Sequence, residues 1–156
     1  MEKPRFDIIE LLFFAYRDFT GDPDEQLNKI GFGRAHHRVL YFVHRNPGIS
    51  VSELLDILKI TKQSLARVLK QLVDEDYIRQ EPGPQDRRQR LLYTTNRGEN
   101  ICQQLARLQT KRINEAVSRL PEGSDETIKQ FFYLMIDEDQ RDHVTDLIGR
   151  TDRQED

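Results

Sequence analysis

The densest apolar stretch of the chain lies near its start, between residues 6 and 20. Its apolar side chains cover almost the whole circumference of a helix: Ile8, Ile9, Leu11, Leu12, Phe13, Phe14, Tyr16 and Phe19. A helix that is apolar nearly all round must be buried on several sides. Because the chain is short, this pattern predicts contact with a second subunit. Gly21-Asp22-Pro23 predicts the end of this helix.

The middle of the chain has the pattern of two capped helices joined by a short turn. A second helix is predicted over 33–46. A third, over 51–59, begins after Ser50, which forms a capping box with Glu53. Thr61 is the predicted N-cap of a fourth helix over 62–75, whose apolar side chains follow the helical repeat: Leu65, Val68, Leu69, Leu72 and Val73. This arrangement is typical of a helix-turn-helix.

A β-hairpin is predicted directly after the fourth helix. Residues 78–81 and 90–95 are rich in strand-forming side chains, and the segment between them contains Pro82 and Pro84, which exclude a helix. Arginines are concentrated near the tip of this hairpin. The sequence therefore predicts a basic wing beside the helix-turn-helix.

Two long helices are predicted in the last third of the chain. The fifth begins at the N-cap Thr95 and reaches about Arg119, and the sixth begins at the N-cap Ser124 and reaches Ile148. Each would be about 36 Å long, too long to bury its apolar side within one small lobe. Together with the first helix, they predict a dimerisation platform.

The predicted fold class is mainly α with a small β-hairpin, a winged helix-turn-helix with terminal dimerisation helices. The predicted organisation has four parts: an N-terminal dimerisation helix at 1–32, a DNA-binding lobe at 33–95, C-terminal dimerisation helices at 96–150, and a flexible tail at 151–156.

The distribution of charge along the chain supports this division. Residues 59–90 hold eight basic and five acidic side chains, so they carry +3 and the remainder carries −6. A basic segment flanked by acidic ones favours a single orientation of the protein on a polyanion.

The exposed face of the fourth helix has the residue types that recognise DNA bases. If Leu65 is at the centre of the buried face, the opposite face and its edges hold Gln63, Ser64, Arg67, Lys70, Gln71 and Asp74. Arginine pairs with guanine through two hydrogen bonds, and glutamine pairs with adenine in the same way. Thr61, Lys62 and the helix N-terminus suit phosphate. The alternative is an ordinary solvated helix face.

The wing favours the DNA-binding interpretation. Arg87, Arg88 and Arg90 lie within four residues of one another at the hairpin tip, which can enter the minor groove, where arginine is favoured. Asp86 is predicted to accept hydrogen bonds from the Arg88 side chain and so to fix its direction. A disordered charged loop is the alternative.

At these residues the chain resembles the MarR family of bacterial regulators. The resemblance covers nearly the whole chain and is most specific in Asp86-Arg87-Arg88, followed by Leu92 and Thr95-Asn96-Arg97-Gly98. The upstream pattern of the family is matched by Thr61, Ser64, Arg67, Leu69 and Leu72. The resemblance implies a homodimer with interlocked terminal helices, with Ser64 and Arg67 at the major groove and Arg88 at the minor groove. It also implies small anionic or phenolic effectors that release DNA.

Four residues are candidates for contact with an anionic effector. His36 and His37 lie at the start of the second helix, and one of them, with Tyr16 or Arg17, would contact the ligand. The alternative is a surface or packing histidine. Cys102 is expected to be a packed small hydrophobe rather than a redox sensor.

Other chemistry finds little support in the sequence. It contains no metal-ligand spacing, no cofactor motif and no catalytic cluster, so neither a metal site nor an enzyme is predicted. No apolar run is long enough for a membrane span, no secretion signal begins the chain, and the single cysteine fits a reducing cytoplasm. The prediction is a cytoplasmic regulator of transcription, more specifically a repressor, that binds a pseudo-palindromic operator in double-stranded DNA as a homodimer. The alternative is a winged-helix protein-interaction module without sequence-specific DNA binding.

Overall fold

The computed structural model describes residues 1–152, which form seven α-helices, a short 3-10 helix and three strands. In chain order these are α1 (Phe6–Asn28), α2 (Arg34–Arg45), β1 (Ile49–Ser50), α3 (Val51–Leu58), α4 (Lys62–Asp74), β2 (Ile78–Pro82), β3 (Arg90–Thr94), α5 (Asn96–Val117), α6 (Ser124–Met135), a 3-10 helix (Glu138–Gln140) and α7 (Arg141–Asp152). The predicted fold class is therefore confirmed: the chain is mainly helical, with one small antiparallel sheet.

The hydrophobic core lies where α2, α3 and α4 pack against the sheet. The strand order is β1-β3-β2, and Leu92 at the centre of β3 pairs with Ile49 on one side and Gln80 on the other. The most completely buried side chains of this region are aliphatic: Val39, Leu40, Val43, Leu54, Leu65, Leu72, Ile78 and Leu92. Each such burial stabilises the fold by about 1.5–3 kcal/mol. This core fixes α4 and the β2–β3 wing relative to each other.

The predicted caps of the helix-turn-helix are confirmed. Ser50 Oγ accepts a hydrogen bond from the Glu53 amide at 3.1 Å, and Glu53 Oε2 accepts one from the Ser50 amide at 3.0 Å. Thr61 Oγ1 accepts from the Ser64 amide at 3.2 Å. Between the two helices, Lys59 takes the left-handed conformation, with φ of 53°. These contacts satisfy backbone groups at the helix ends and set the sharp turn between α3 and α4.

The prediction that the first helix ends at Gly21-Asp22-Pro23 is wrong. α1 continues through Pro23 to Asn28. A proline inside a helix costs about 3 kcal/mol, because it removes one backbone hydrogen bond and crowds the preceding turn. Here Pro23 and Leu27 are both buried, and Arg112 of α5 donates to Asp22 at 2.8 Å. This packing offsets the local cost, which the apolar pattern along the chain does not include.

The prediction of a single sixth helix from Ser124 to Ile148 is also wrong. α6 ends at Met135, Ile136 is extended, and α7 begins at Arg141 after the 3-10 helix. Positions 137–139 are three consecutive acidic residues. Negative charge is unfavourable near the C-terminus of a helix and favourable near the N-terminus of the next one, so these residues favour a break here. The Arg141 side chain then donates to the carbonyls of Leu134 and Ile136, at 3.0 and 3.1 Å. With 12 residues, α6 is about 18 Å long rather than 36 Å.

Two smaller expectations concern the ends of these last helices. The N-cap of α6 is Gly123, with φ of 83°, and Ser124 is the first helical residue rather than the cap. Of the predicted flexible tail at 151–156, Thr151 and Asp152 belong to α7, and 153–156 lie outside the described residues. No helix among residues 1–152 is both long and apolar enough to cross a membrane.

Two helices of this chain leave large apolar side chains uncovered. In α1, Phe6, Leu11 and Phe13 are 64–68% exposed. In α6 no residue is buried, and Phe131, Phe132, Leu134 and Met135 are 46–56% exposed. Contiguous exposed apolar surface of this kind is uncommon on a monomer and marks an interaction surface.

Candidate nucleic-acid interface

Helix α4 divides into a buried and an exposed face along its whole length. Leu65, Val68, Leu69 and Leu72 are buried. The candidate DNA-contacting residues of this segment are all exposed: Thr61, Lys62, Gln63, Ser64, Arg67 and Lys70. The 3.6-residue repeat alone therefore placed these side chains on the solvent side.

The exposed side chains of α4 differ in how far they are already engaged. Thr61 Oγ1 donates to Ser64 Oγ at 2.9 Å, and Lys70 forms an i,i+4 ion pair with Asp74. Within residues 1–152, the side chains of Gln63 and Arg67 make no hydrogen bond or ion pair. With Lys62 at the start of the helix, which also makes no such contact among the described residues, they are free to meet DNA.

The wing has an ordered backbone at its tip. The amide of Gly83 donates to the Gln89 carbonyl at 2.8 Å, and the Gln89 amide donates to the Asp86 carbonyl at 3.1 Å. A Cβ on Gly83 would lie 2.6 Å from the Asp86 carbonyl oxygen, so only glycine fits there. The wing is thus a closed hairpin and not an open charged loop.

The predicted role of Asp86 needs correction. Asp86 Oδ1 accepts a hydrogen bond from the backbone amide of Arg88 at 2.9 Å, not from its guanidinium. Aspartate side chains commonly bond to a backbone amide two residues ahead in this way, which closes a turn. Asp86 therefore shapes the backbone of the tip and leaves the Arg88 guanidinium free to turn toward a ligand.

The three wing arginines have different environments. Arg87 and Arg88 are exposed, with no side-chain bond within the described part of the chain. Arg90 donates from Nη1 to Gln80 Oε1 at 3.1 Å across the hairpin. The neighbouring strand therefore restrains Arg90 but not the two arginines at the tip.

One groove brings cations of α4 and of the wing together. Its volume is about 810 Å³. Among the side chains that line it are Lys62, Gln63, Lys70, Arg88 and Arg90. Asp74 also lines the groove, but its charge is paired with Lys70. The groove therefore presents a net positive surface between a helix and a hairpin, which suits a polyanionic backbone.

Three of the four candidate effector residues are bonded to protein groups, and the fourth, His37, is half-buried. The Tyr16 hydroxyl accepts from Arg38 at 3.1 Å, and Arg17 pairs with Asp18 at 2.8 Å. Both ring nitrogens of His36 have partners within the chain. Burial lowers the pKa of His37, a shift that Asp24 opposes and Arg38 reinforces. An effector at these residues would have to displace existing contacts.

Cys102 is a buried residue of α5 with a free thiol. Burial, with a smaller contribution from the charge of Glu99, raises the pKa of Cys102 to about 12. A thiol that is not ionised near neutral pH is a poor nucleophile. Among the described residues, no cluster of histidine, cysteine and carboxylate side chains could hold a metal ion.

The contact between His36 and Gln71 is one that the sequence did not indicate. Gln71 stands at the edge of the predicted reading face, yet its side chain bonds to His36 of α2 at 2.7 Å. The two residues are 35 positions apart. Nothing in a local sequence pattern links them.

Comparison with known proteins agrees with this geometry. A model of the MarR family matches residues 30–89, which span α2, the helix-turn-helix and most of the wing. The HTH-type transcriptional regulator PetP from Rhodobacter capsulatus is 38% identical over 135 residues, which cover 86% of this chain and 81% of PetP.

Solved structures of this class superpose on the chain. Streptococcus pneumoniae FabT in complex with DNA aligns with a TM-score of 0.73 at 17% identity, over 83% of this chain and 92% of that one. A mutant of E. coli MarR complexed with operator DNA aligns with a TM-score of 0.64 at 21% identity, over 86% of this chain and 100% of that one. The winged-helix geometry, the family model and the similarity to PetP together show that this chain belongs to the MarR family of transcriptional regulators.

Proposed function

We propose that the protein is a sequence-specific regulator that binds a pseudo-palindromic operator in double-stranded DNA as a homodimer. The observation that carries this proposal is the basic groove shared by α4 and the wing, with Gln63 on the helix side and Arg88 on the hairpin side. Arg67 is exposed on the same helix, one turn after Gln63. A helix of this width enters the major groove of B-DNA, and a hairpin tip beside it reaches the adjacent minor groove.

The exposed side chains of α4 and the wing divide the contact between positioning and reading. Gln63 and Arg67 face base edges, where glutamine prefers adenine and arginine prefers guanine. Thr61 and Lys62 at the N-terminus of α4 hold phosphate, and Ser64 and Lys70 lie beside the two reading residues in the major groove. Arg87 and Arg88 enter the minor groove, and Arg90 follows the backbone.

The homodimer is proposed from the uncovered apolar surfaces of α1 and α6. Phe13 in α1 and Leu134 in α6 belong to two apolar patches that a single subunit leaves exposed to solvent, with exposed fractions of 64% and 56%. Contact between identical surfaces in two copies would bury both through a twofold axis. Two α4 helices about 34 Å apart would then meet successive major grooves on one side of the duplex.

Repression and release by a small molecule are finer proposals within the same function. The dimer would block transcription from its operator in the cytoplasm, and an anionic or phenolic effector would release it by displacing contacts of Tyr16, Arg17, His36 or His37. The test is the ligand response of DNA binding in a variant that combines His36→Ala and His37→Ala. An unchanged response would remove these two residues from the effector site.

The decisive experiment is selection of bound fragments from the host genome, followed by a mobility shift on the enriched sequence. We expect one palindromic sequence to be enriched, and Arg88→Ala to weaken binding to it strongly. Arg107→Ala is the matched control, because it removes an exposed α5 cation outside the groove. Equal binding to every fragment would favour a protein-interaction module over a sequence-specific regulator.

A further inference from the structure

The junction between α1 and α2 is closed by a small aromatic cluster. After α1 ends, the amide of Phe32 donates to the Leu27 carbonyl at 2.9 Å, and the Phe32 side chain is buried. The ring stacks on His36 with a centroid distance of 4.6 Å and an interplanar angle of 17°. The Phe32 ring also makes an edge-to-face contact with Tyr77, which follows α4, at a centroid distance of 5.1 Å. The cluster therefore lies between the end of α1 and the reading helix.

His36 forms one hydrogen bond with each of its ring nitrogens. Nδ1 accepts from the Gly33 amide at 3.1 Å, which caps the first turn of α2. Nε2 lies 2.7 Å from Gln71 Oε1 on α4. A nitrogen that accepts from an amide carries no proton, so the proton of the neutral ring lies on Nε2 and is donated to Gln71. The two partners together specify one tautomer of a neutral imidazole.

The bond to Gln71 restrains α4 in a way that its buried face does not. The buried face sets the rotation of α4 approximately, but apolar burial is non-directional and leaves small rotations about the helix axis possible. A hydrogen bond depends steeply on angle as well as distance. Gln71 is four residues after Arg67, one helical turn along the same side. A restraint on Gln71 therefore limits rotation of the side chains that face DNA.

We infer that His36 is a positioning residue for operator recognition: it joins the α1–α2 junction to α4 and sets the rotation of the reading helix. The inference rests on the proposed function. His36 itself touches no base, and Gln71 is held toward α2 rather than offered to DNA. Gln71 is thereby removed from the side chains of α4 that are available to read bases.

The test uses a variant that separates capping from positioning. Asparagine places its Oδ1 where the imidazole has Nδ1 and can accept from the Gly33 amide, so His36→Asn keeps the cap. Its shorter side chain ends before the position of Nε2 and does not reach Gln71. We expect His36→Asn to unfold at nearly the wild-type temperature, yet to bind the selected operator about tenfold more weakly, the equivalent of one missing hydrogen bond.

A double-mutant cycle tests the link itself. His36→Asn and Gln71→Ala should each weaken operator binding, and the double variant should be no weaker than either, because both break one bond. Additive losses would mean that Gln71 contacts DNA by itself, and would overturn the inference. So would wild-type affinity in His36→Asn. If the wild-type dimer selects no operator at all, the proposed function fails and this inference fails with it.

The tautomer gives a readout that does not depend on DNA. The ¹⁵N shifts of the His36 ring in the full-length protein should show a protonated Nε2 and a bare Nδ1. Gln71→Ala should shift the Nε2 signal and leave Nδ1 nearly unchanged. A protonated Nδ1 in the wild-type protein would contradict the bond to Gly33 and overturn the inference.

Discussion

Two arginines of the interface are expected to contribute to DNA binding in different ways. Arg67 is proposed to face base edges from α4, so Arg67→Ala should cost about 1–3 kcal/mol on the preferred operator and relax the preference at one base pair. Arg88 lies at the wing tip, so Arg88→Ala should weaken binding to most sequences alike. It should also reduce the log–log salt slope by about 0.9 for each phosphate that the variant no longer neutralises. Fluorescence anisotropy at several salt concentrations measures both effects.

The same titrations contain their own control. Arg107→Ala should leave both the affinity and the salt slope near wild type, because Arg107 lies on α5 away from the groove. If all three variants lose affinity equally, total charge rather than position controls binding, and the separation of roles is wrong.

Cys102 should be inert in the folded protein. Because burial raises its pKa to about 12, almost no thiolate is present near neutral pH. We expect iodoacetamide at mildly alkaline pH to leave the native thiol unmodified for hours and to alkylate it promptly in denaturant, as measured by intact mass. Rapid labelling of the native protein, or loss of DNA binding with dilute peroxide, would point to a redox role.

His37 should make the fold less stable in mild acid. Its pKa is lowered in the folded state, chiefly by burial, so the unfolded chain takes up a proton at higher pH than the folded chain does. Stability is therefore unaffected above the unfolded pKa of about 6.5, falls as the pH drops through that value, and levels off below the folded pKa. Urea unfolding at several pH values should show this loss, and His37→Gln should reduce it. An unchanged acid profile in His37→Gln would contradict this assignment.

At the residue scale, the sequence predicted which side chains are exposed better than it predicted their hydrogen-bond partners. Periodicity placed Gln63 and Arg67 in solvent correctly, because burial follows the helical repeat. It could not show that Asp86 bonds to a backbone amide, since side-chain and backbone donors of Arg88 are equally close in sequence. Nor could it pair His36 with Gln71, which meet only after the chain has folded.

Among the elements, the start of α5 depends on a close approach between two backbone segments. Thr95 Oγ1 accepts from the Gly98 amide at 3.1 Å and donates to the Asp76 carbonyl at 2.6 Å. A Cβ on Gly98 would lie 2.0 Å from the Tyr77 carbonyl oxygen, which belongs to the backbone and cannot move aside easily. Gly98→Ala should therefore destabilise the fold by about 1–3 kcal/mol or more, as overpacking does.

Gly21→Ala is the matched comparison for this substitution. Gly21 is inside α1, where an added Cβ would meet nothing within 4 Å. Alanine has a higher helix propensity than glycine by about 0.5–1 kcal/mol, so this variant should be neutral or more stable. Chemical denaturation of both variants gives the comparison. Similar free energies of unfolding would mean that the contact between Gly98 and Tyr77 relaxes without cost.

The elements were predictable where their signals are local. The caps at Ser50 and Thr61 are short-range hydrogen bonds, and the sequence placed them correctly. The extension of α1 through Pro23 was missed, because the burial that offsets the proline depends on the packing around it. The break after Met135 depends on charges at 137–139 and on Arg141, which bonds back to the end of α6. Both errors concern where a helix ends, and both have causes outside the apolar repeat.

At the scale of the whole molecule, one subunit is a packed lobe with unpacked extensions. The core holds α2, α3, α4 and the sheet, together with Leu27 of α1 and Cys102 and Leu105 of α5, whereas α6 contributes no buried side chain. The apolar pattern of the first and last helices predicted surfaces that one subunit cannot cover. What the pattern could not show is what packs against the exposed surfaces of α1 and α6, because a local repeat does not specify a partner.

Dimerisation should therefore control DNA affinity. Leu134→Asp places a charge in the exposed apolar patch of α6, where burial of an unpaired carboxylate costs several kcal/mol or prevents association. We expect light scattering to show a monomer, with circular dichroism preserved because Leu134 is outside the core. A monomer presents one α4 instead of two at the duplex spacing, so operator affinity should fall by orders of magnitude. Lys129→Ala, on the polar side of α6, removes only exposed ion pairs, which contribute little, and should remain a dimer. A wild-type protein that is monomeric at micromolar concentration, yet binds the full palindrome tightly, would contradict the arrangement of two reading helices held one turn of DNA apart.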